Sequence, residues 1–93
     1  MNSAFYSISV VIPNYNGRHL LEGNLPAVYN ALRTSGIDDF EIIITDDASQ
    51  DDSVAFIEDN YPDIILLKNT RNLGFAGNIN KGIRQASKAL CFS

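Results

Sequence analysis

The sequence has 93 residues, of which 45% are hydrophobic, and it carries a net charge of −4. This length allows one domain with a modest core, and the negative charge argues against binding to a nucleic-acid backbone. The single cysteine and single histidine exclude both an internal disulfide and a zinc cluster built from these residue types.

The first third of the chain predicts a strand followed by a helical region. Residues 8–13 are β-branched and almost continuously apolar, which is typical of a buried parallel strand that ends at its proline. Residues 14–17 have turn chemistry, and apolar residues then recur at helical spacing over residues 21–32. Pro26 interrupts this pattern, so we expect it to begin a second helical segment as its N1 residue. Gly36 would end that segment.

The rest of the chain repeats the alternation. Strands are predicted at residues 40–45, 64–67 and 89–92, and helices from the acidic loop 46–52 to Pro62 and over residues 75–88. Ser49 or Asp51 is expected to cap the first of these helices. The inward face of the last helix is predicted to consist of Phe75, Ile79, Ile83 and Ala86. The order β-α-β-α-β-α-β predicts an α/β fold, a Rossmann-like parallel sheet with flanking helices.

Unusual polar residues follow three of the predicted strands. They occupy residues 13–17, 46–49 and 69–78. Ligands of open α/β sheets bind outside the carboxyl ends of the strands. We therefore expect a binding site where these three loops meet.

Several loop residues allow both a functional and a structural interpretation. The carboxylates of Asp46 and Asp47 can accept hydrogen bonds from a base or a ribose, but acidic residues also cap helices. Tyr15 can stack on a base or close the edge of the core. Arg71 can pair with a phosphate or remain a solvated loop residue. The residue types alone leave these alternatives open.

Three segments together resemble a known family. Residues 10–17, 41–51 and 72–82 are similar, in order and spacing, to motifs of family-2 glycosyltransferases, which share the GT-A fold. The third segment resembles the rhamnosyltransferase-like branch. The resemblance covers nearly the whole chain from Ile8 onward. It implies that residues 1–93 form a single partial domain, the N-terminal nucleotide-binding half of an inverting glycosyltransferase.

The resemblance also implies roles for individual residues. Pro13 and Tyr15 would border the base, Asp47 would accept a hydrogen bond from it, and Asp46 would be a structural or ribose-side neighbour. Residues 72–80 would pass near the ribose and the diphosphate of a UDP- or dTDP-linked sugar donor. The predicted nucleotide-binding residues are Pro13, Tyr15, Asn16, Asp46, Asp47, Arg71, Gly74, Gly77 and Asn78.

Two functional elements of the family are expected outside these residues. Family members have an Asp-x-Asp motif after the fourth strand, which binds a divalent cation (Mg or Mn), and a later acidic residue that acts as general base. The sequence ends at Ser93, where the first of these would come. We therefore expect no catalytic or metal-binding residue in these 93, no acceptor-binding half, and no transfer of sugar by the isolated chain.

The expected partners are a nucleotide-sugar donor and a saccharide or lipid-linked acceptor. Residues 1–7 lack the pattern of a signal peptide, and no apolar run reaches the ~20 residues of a membrane span. A cytoplasmic protein is therefore predicted, with membrane association of the full-length enzyme left open. The apolar residues 89–92 predict that the isolated chain forms a homodimer.

Two other classes of protein compete with the enzyme hypothesis. A receiver-like signalling domain also places acidic residues at strand ends, but it needs them after the first strand. This sequence has Pro13 and Asn14 at that position. A non-catalytic α/β domain that assembles through its sheet edge is the second alternative.

Overall fold

The computed structural model describes residues 7–92, with the backbone alone for residues 89–92. The elements are β1 (Ser7–Asn14), α1 (Arg18–Thr34), β2 (Asp39–Asp46), α2 (Ser53–Asn60), β3 (Ile65–Lys68), α3 (Gly74–Gln85) and β4 (Ala89–Phe92). The four strands form one parallel sheet in the order β3-β2-β1-β4. The predicted alternation and the parallel sheet are confirmed.

Strands β1 and β2 form the centre of the sheet. They pair in register from Ser7 opposite Asp39 to Asn14 opposite Asp46, so both strands end at the same level. Val11, Ile43 and Ile44 have no exposed surface. Continuous apolar runs of this kind are needed because helices cover both faces of a parallel sheet.

The α1 helix corrects one prediction. Pro26 does not begin a second segment, because α1 runs unbroken from Arg18 to Thr34 with Pro26 inside it. A proline in a helix interior costs about 3 kcal/mol, since it removes a backbone hydrogen bond. Leu21, Leu25 and Leu32 are buried on the opposite side, and each contributes about 1.5–3 kcal/mol on burial. Packing of this face therefore outweighs the local cost of the proline.

The end of α1 is built as the sequence predicts. Gly36 has a φ of 73°, the left-handed conformation that glycine adopts without a steric penalty. The Ile37 amide donates to the Leu32 carbonyl at 3.0 Å, and the Gly36 amide donates to the Arg33 carbonyl at 3.1 Å. This pair of bonds is the Schellman motif, which terminates the helix.

The α3 helix corrects a second prediction. Its buried residues are Asn78 and Gly82, whereas Phe75, predicted to face inward, is 74% exposed. Phe75 lies in the first turn of α3, and the Gly74 amide at the start of this turn donates to Asp47, the residue after the end of β2. Since the sheet does not reach this turn, the ring borders the space above the strand ends.

Candidate functional site

The first two loops are joined through Asp46. Its Oδ1 accepts hydrogen bonds from Asn14 Nδ2 at 2.9 Å and from Ser49 Oγ at 2.6 Å, and its Oδ2 accepts from the Ser49 amide at 3.0 Å. Asp46 is only 2% exposed. Its carboxylate therefore holds the ends of β1 and β2 together.

Asn16 is a second brace between these loops. Its side-chain oxygen accepts hydrogen bonds from the backbone N–H of Gln50 at 2.7 Å and of Asp51 at 3.3 Å. The backbone N–H of Asn16 donates to Ser49 Oγ at 2.9 Å. Its φ of 51° is left-handed, a conformation that asparagine tolerates better than most residues. This geometry explains the asparagine in the turn without any ligand.

Asp47 is directed instead toward the third loop. Its Oδ1 accepts hydrogen bonds from the Leu73 amide at 2.6 Å and Asn69 Nδ2 at 3.0 Å, and its Oδ2 accepts from the Gly74 amide at 3.1 Å. The Leu73 amide above all holds the pKa of Asp47 below its ordinary value, although burial opposes this. Asp47 is therefore a charged acceptor at neutral pH.

Two buried asparagines connect this loop to the sheet. Asn69 Nδ2 donates to Asn78 Oδ1 at 2.8 Å, and Asn78 Nδ2 donates to the Thr45 carbonyl at 2.7 Å. Both asparagines are nearly fully buried, with exposures of 7% and 2%. Buried amides of this kind must be hydrogen-bonded, so the loop and α3 take one arrangement relative to β2.

A cleft opens where the three loops meet. Its volume is about 320 Å³, within the range of small-molecule sites. Two of its lining rings are open to solvent, Tyr15 at 53% and Phe75 at 74% exposed. The lining residues are Pro13, Asn14, Tyr15, Asp47, Gly74, Phe75 and Asn78. A charged acceptor beside exposed aromatic rings can bind a flat heterocycle that carries N–H donors.

The structure brings together five of the nine predicted residues and separates the other four. Asn16 and Asp46 brace the loops, Arg71 is exposed in the third loop, and Gly77 packs its backbone near the Leu73 side chain. The five in the cleft wall are Pro13, Tyr15, Asp47, Gly74 and Asn78.

The sequence reasoning missed two lining residues. Asn14 directly follows Pro13 in the first strand-end motif, so its place in the motif was an available signal. Phe75 lies at helical spacing from Ile79, which predicts a core position. Its position in the first turn of the helix was the sign that it could leave the core.

The described residues contain no cluster of metal-binding side chains. Among the side chains that the structure describes, no group of three or more His, Cys, Asp or Glu residues could hold a metal ion. Both oxygens of Asp46 and both of Asp47 already accept hydrogen bonds from protein groups. A divalent cation would need ligands beyond the one acceptor position that is left on Asp47 Oδ2.

A parallel α/β sheet with a polar cleft at the carboxyl ends of its strands defines a Rossmann-like domain. Residues 9–92 match the family described as Glycosyl transferase family 2, and the chain belongs to this family. The family resemblance is thus confirmed, and it selects the glycosyltransferase hypothesis over the receiver-like one. The rhamnosyltransferase-like branch stays a prediction.

Two curated relatives agree with this assignment. The validoxylamine A glucosyltransferase of Streptomyces hygroscopicus subsp. jinggangensis is 36% identical over 87 residues, which cover 89% of this chain and 20% of that protein. The GalNAc(5)-diNAcBac-PP-undecaprenol beta-1,3-glucosyltransferase of Campylobacter jejuni is 32% identical over 84 residues, covering 86% of this chain and 26% of that protein. The chain thus spans at most about a quarter of the length of these two relatives.

A solved structure shares the fold. The mannosyltransferase PcManGT from Pyrobaculum calidifontis, in complex with GDP-Man and Mn2+, superposes with a TM-score of 0.69 and 27% identity, covering 89% of this chain and 25% of that one. The fold is therefore that of GT-A glycosyltransferases. Across the described part of the chain, the helices are too short or too polar to cross a membrane.

Proposed function

We propose that this chain binds the nucleotide of a sugar-nucleotide donor for an inverting family-2 glycosyltransferase, and that Asp47 recognises the base. Membership of the family supports the reaction class. The observation that carries the proposal is that Asp47, whose carboxylate accepts hydrogen bonds from Leu73 and Gly74 of the third loop, is among the residues that line the cleft. Asp47 is the one acidic side chain among the residues that line this cleft.

The remaining acceptor capacity of Asp47 favours particular bases. Each carboxylate oxygen can accept about two hydrogen bonds. Oδ1 already accepts two, from Leu73 and Asn69, whereas Oδ2 accepts one, from Gly74. By this count one acceptor position on Oδ2 is left, and we propose that it faces the cleft and receives the base. Uracil and thymine present a ring N–H donor to such an acceptor, whereas the corresponding ring nitrogen of cytosine is itself an acceptor.

The other cleft residues fit the remaining parts of a nucleotide. The exposed ring of Tyr15 offers a face for stacking on the base, beside Pro13. Gly74 has no side chain, which allows a ribose or diphosphate to approach the start of α3 closely. We propose UDP or dTDP as the nucleotide, as the family resemblance implies.

The whole enzyme is proposed to transfer the sugar to a saccharide or lipid-linked acceptor. The name of the Campylobacter relative includes an undecaprenol-linked saccharide, which supports an acceptor of this type and contact with a membrane surface in the cytoplasm. Inversion requires direct displacement at the anomeric carbon, with a carboxylate as general base. Mg or Mn would offset charge on the leaving diphosphate. We assign none of these steps to the cleft residues, and we expect no transfer by these 93 residues alone.

The test is a comparison of nucleotides by calorimetry. UDP and dTDP should bind to the protein, and CDP should bind roughly tenfold more weakly. In CDP the ring N–H that donates to the Asp47 carboxylate is replaced by a ring nitrogen that is itself an acceptor. GDP tests whether a purine N–H serves equally well. Equal affinities for UDP and CDP would contradict the proposal.

The substitution Asp47→Asn sharpens the test. The amide can keep its oxygen toward Leu73 and place its NH2 group where Oδ2 was, which exchanges an acceptor for a donor. The preference for UDP over CDP should then disappear or reverse. The matched control is Asp38→Asn, an exposed residue before β2 at the opposite end of the sheet, which should leave the preference unchanged. A preference that survives Asp47→Asn would refute base recognition by this residue.

A further inference from the structure

A chain of hydrogen bonds runs from α3 to the proposed base-recognition residue. Lys81 Nζ donates to Asn69 Oδ1 at 2.7 Å, and Asn69 Nδ2 donates to Asp47 Oδ1 at 3.0 Å. Neither Lys81 nor Asn69 lines the cleft. An ammonium group thus acts on the carboxylate through one intervening amide.

The chemistry of the two ends determines how the amide lies. A lysine ammonium can only donate and an ionised carboxylate can only accept. The oxygen of Asn69 must therefore face Lys81, and its NH2 group must face Asp47. The second hydrogen of that NH2 group is used by Asn78 Oδ1 at 2.8 Å. Every polar atom of the Asn69 side chain has a partner, so the amide has one favourable orientation.

The Asn69 amide determines which oxygen of the Asp47 carboxylate has an acceptor position left for a ligand. Asn69 occupies the second acceptor position of Asp47 Oδ1, whose first position is taken by the Leu73 amide. If Asn69 were displaced, Oδ1 would regain an acceptor position and the carboxylate could rotate about its last bond. The free acceptor position would then no longer be confined to Oδ2.

We propose that Asn69 and Lys81 are positioning residues that determine base specificity: Lys81 orients the Asn69 amide, and this amide holds Asp47 with Oδ2 as the acceptor for the base. The inference rests on the proposed function, since it needs Asp47 to recognise the base. It adds two residues outside the cleft that act through Asp47.

The test measures the preference for UDP over CDP in Lys81→Met by calorimetry. Met retains an aliphatic side chain of similar length at this half-buried position but removes the charge and the donor. Loss of one hydrogen bond should reduce the preference roughly three- to tenfold. Lys81→Arg keeps a cationic donor and should restore most of the preference. Arg84→Met, an exposed residue of the same helix, controls for loss of one positive charge.

Asn69→Ala provides a second variant, which should reduce the same preference at least as much. A merely structural role predicts a different result: a lower melting temperature and equal weakening of UDP and CDP, with the preference intact. That result in both variants would overturn the inference. If Asp47→Asn abolishes the preference and neither Lys81→Met nor Asn69→Ala changes it, the positioning role alone fails. If Asp47→Asn has no effect on the preference, the proposed function fails first.

Discussion

Gly82 of α3 lies so close to Val11 of β1 that a Cβ atom on Gly82 would stand 2.5 Å from Val11 Cγ1 and 3.1 Å from Thr45 Cγ2. Carbon atoms in contact are normally about 3.5–4.0 Å apart. The glycine therefore allows α3 to rest directly on the two central strands. This close approach also carries Asn78, one turn earlier, to the Thr45 carbonyl.

Gly82→Ala should destabilise the protein. Overpacking a buried contact costs about 1–3 kcal/mol, and the free energy of unfolding in urea should fall by that amount. The matched control is Gly23→Ala, because Gly23 lies in α1 and an alanine Cβ there would have no neighbouring atom within 4 Å. That variant should gain about 0.5–1 kcal/mol from helix propensity. Equal stabilities of the two variants would contradict the packing described for α3.

Asp46→Ala and Asp47→Ala should have different effects. Removing the Asp46 carboxylate takes away the acceptor of the buried Asn14 amide and of the hydroxyl and backbone N–H of half-buried Ser49, which should lower the free energy of unfolding by about 2–4 kcal/mol. Asp47→Ala should weaken UDP binding more than Asp46→Ala does, as measured by calorimetry on the folded fraction of each variant. Equal or reversed losses of affinity would contradict the assignment of Asp47 to the base.

Pro26→Ala should stabilise the protein. Pro26 is exposed in the interior of α1, so alanine can restore a backbone N–H without disturbing the buried leucines. The gain in the helix is about 3 kcal/mol, offset by about 1 kcal/mol because alanine leaves the unfolded chain more freedom. Thermal unfolding should show a higher melting temperature. A lower one would mean that the proline ring makes a stabilising contact.

Glu41 should make the free energy of unfolding depend on pH. The Ser9 hydroxyl, 2.6 Å away, and then the Ser87 amide, 2.9 Å away, hold the pKa of Glu41 below its usual 4.5. A carboxyl group whose pKa is lower in the folded state stabilises the protein above its unfolded pKa. That contribution is lost as the pH falls through the folded value. The free energy of unfolding should therefore decline below pH 4.5.

The variant Glu41→Gln isolates this contribution. Urea unfolding from about pH 6 to about pH 3 should give a shallower decline for the variant than for the parent protein. Above this range, the free energies of unfolding of the variant and the parent protein should differ by a constant amount. Identical slopes would show that Glu41 does not contribute.

The sheet edge predicts self-association. Strand β4 pairs with β1 on one side and is the last strand in the order of the described sheet. An unpaired strand edge can pair with a second chain. Sedimentation over a concentration series should show a dimer of the isolated 93-residue chain. A monomer at every concentration, with residues 89–92 protected from hydrogen exchange, would contradict this.

The order of strands and helices, and the end of the sheet that carries the cleft, could be predicted from the sequence. These features are local. The runs at residues 8–13 and 40–45 are more continuously apolar than the alternating pattern of a strand with one exposed face. Gly36 is suited to the left-handed position that ends α1. The family followed from three motifs, because their residues are close together in the chain and their spacing is visible.

Which residues of those motifs line the cleft depends on contacts that only the folded chain makes. Asp46 and Asp47 are identical in type and adjacent, yet Asp46 joins two loops and Asp47 borders the cleft. Helical spacing predicts Phe75 inside, whereas its place beside Asp47, beyond the end of β2, leaves the ring 74% exposed. Pro26 stays within α1 because leucines on the far side are buried. In each case the outcome depends on contacts between segments distant in sequence, whose free energies exceed the local preferences that a sequence displays.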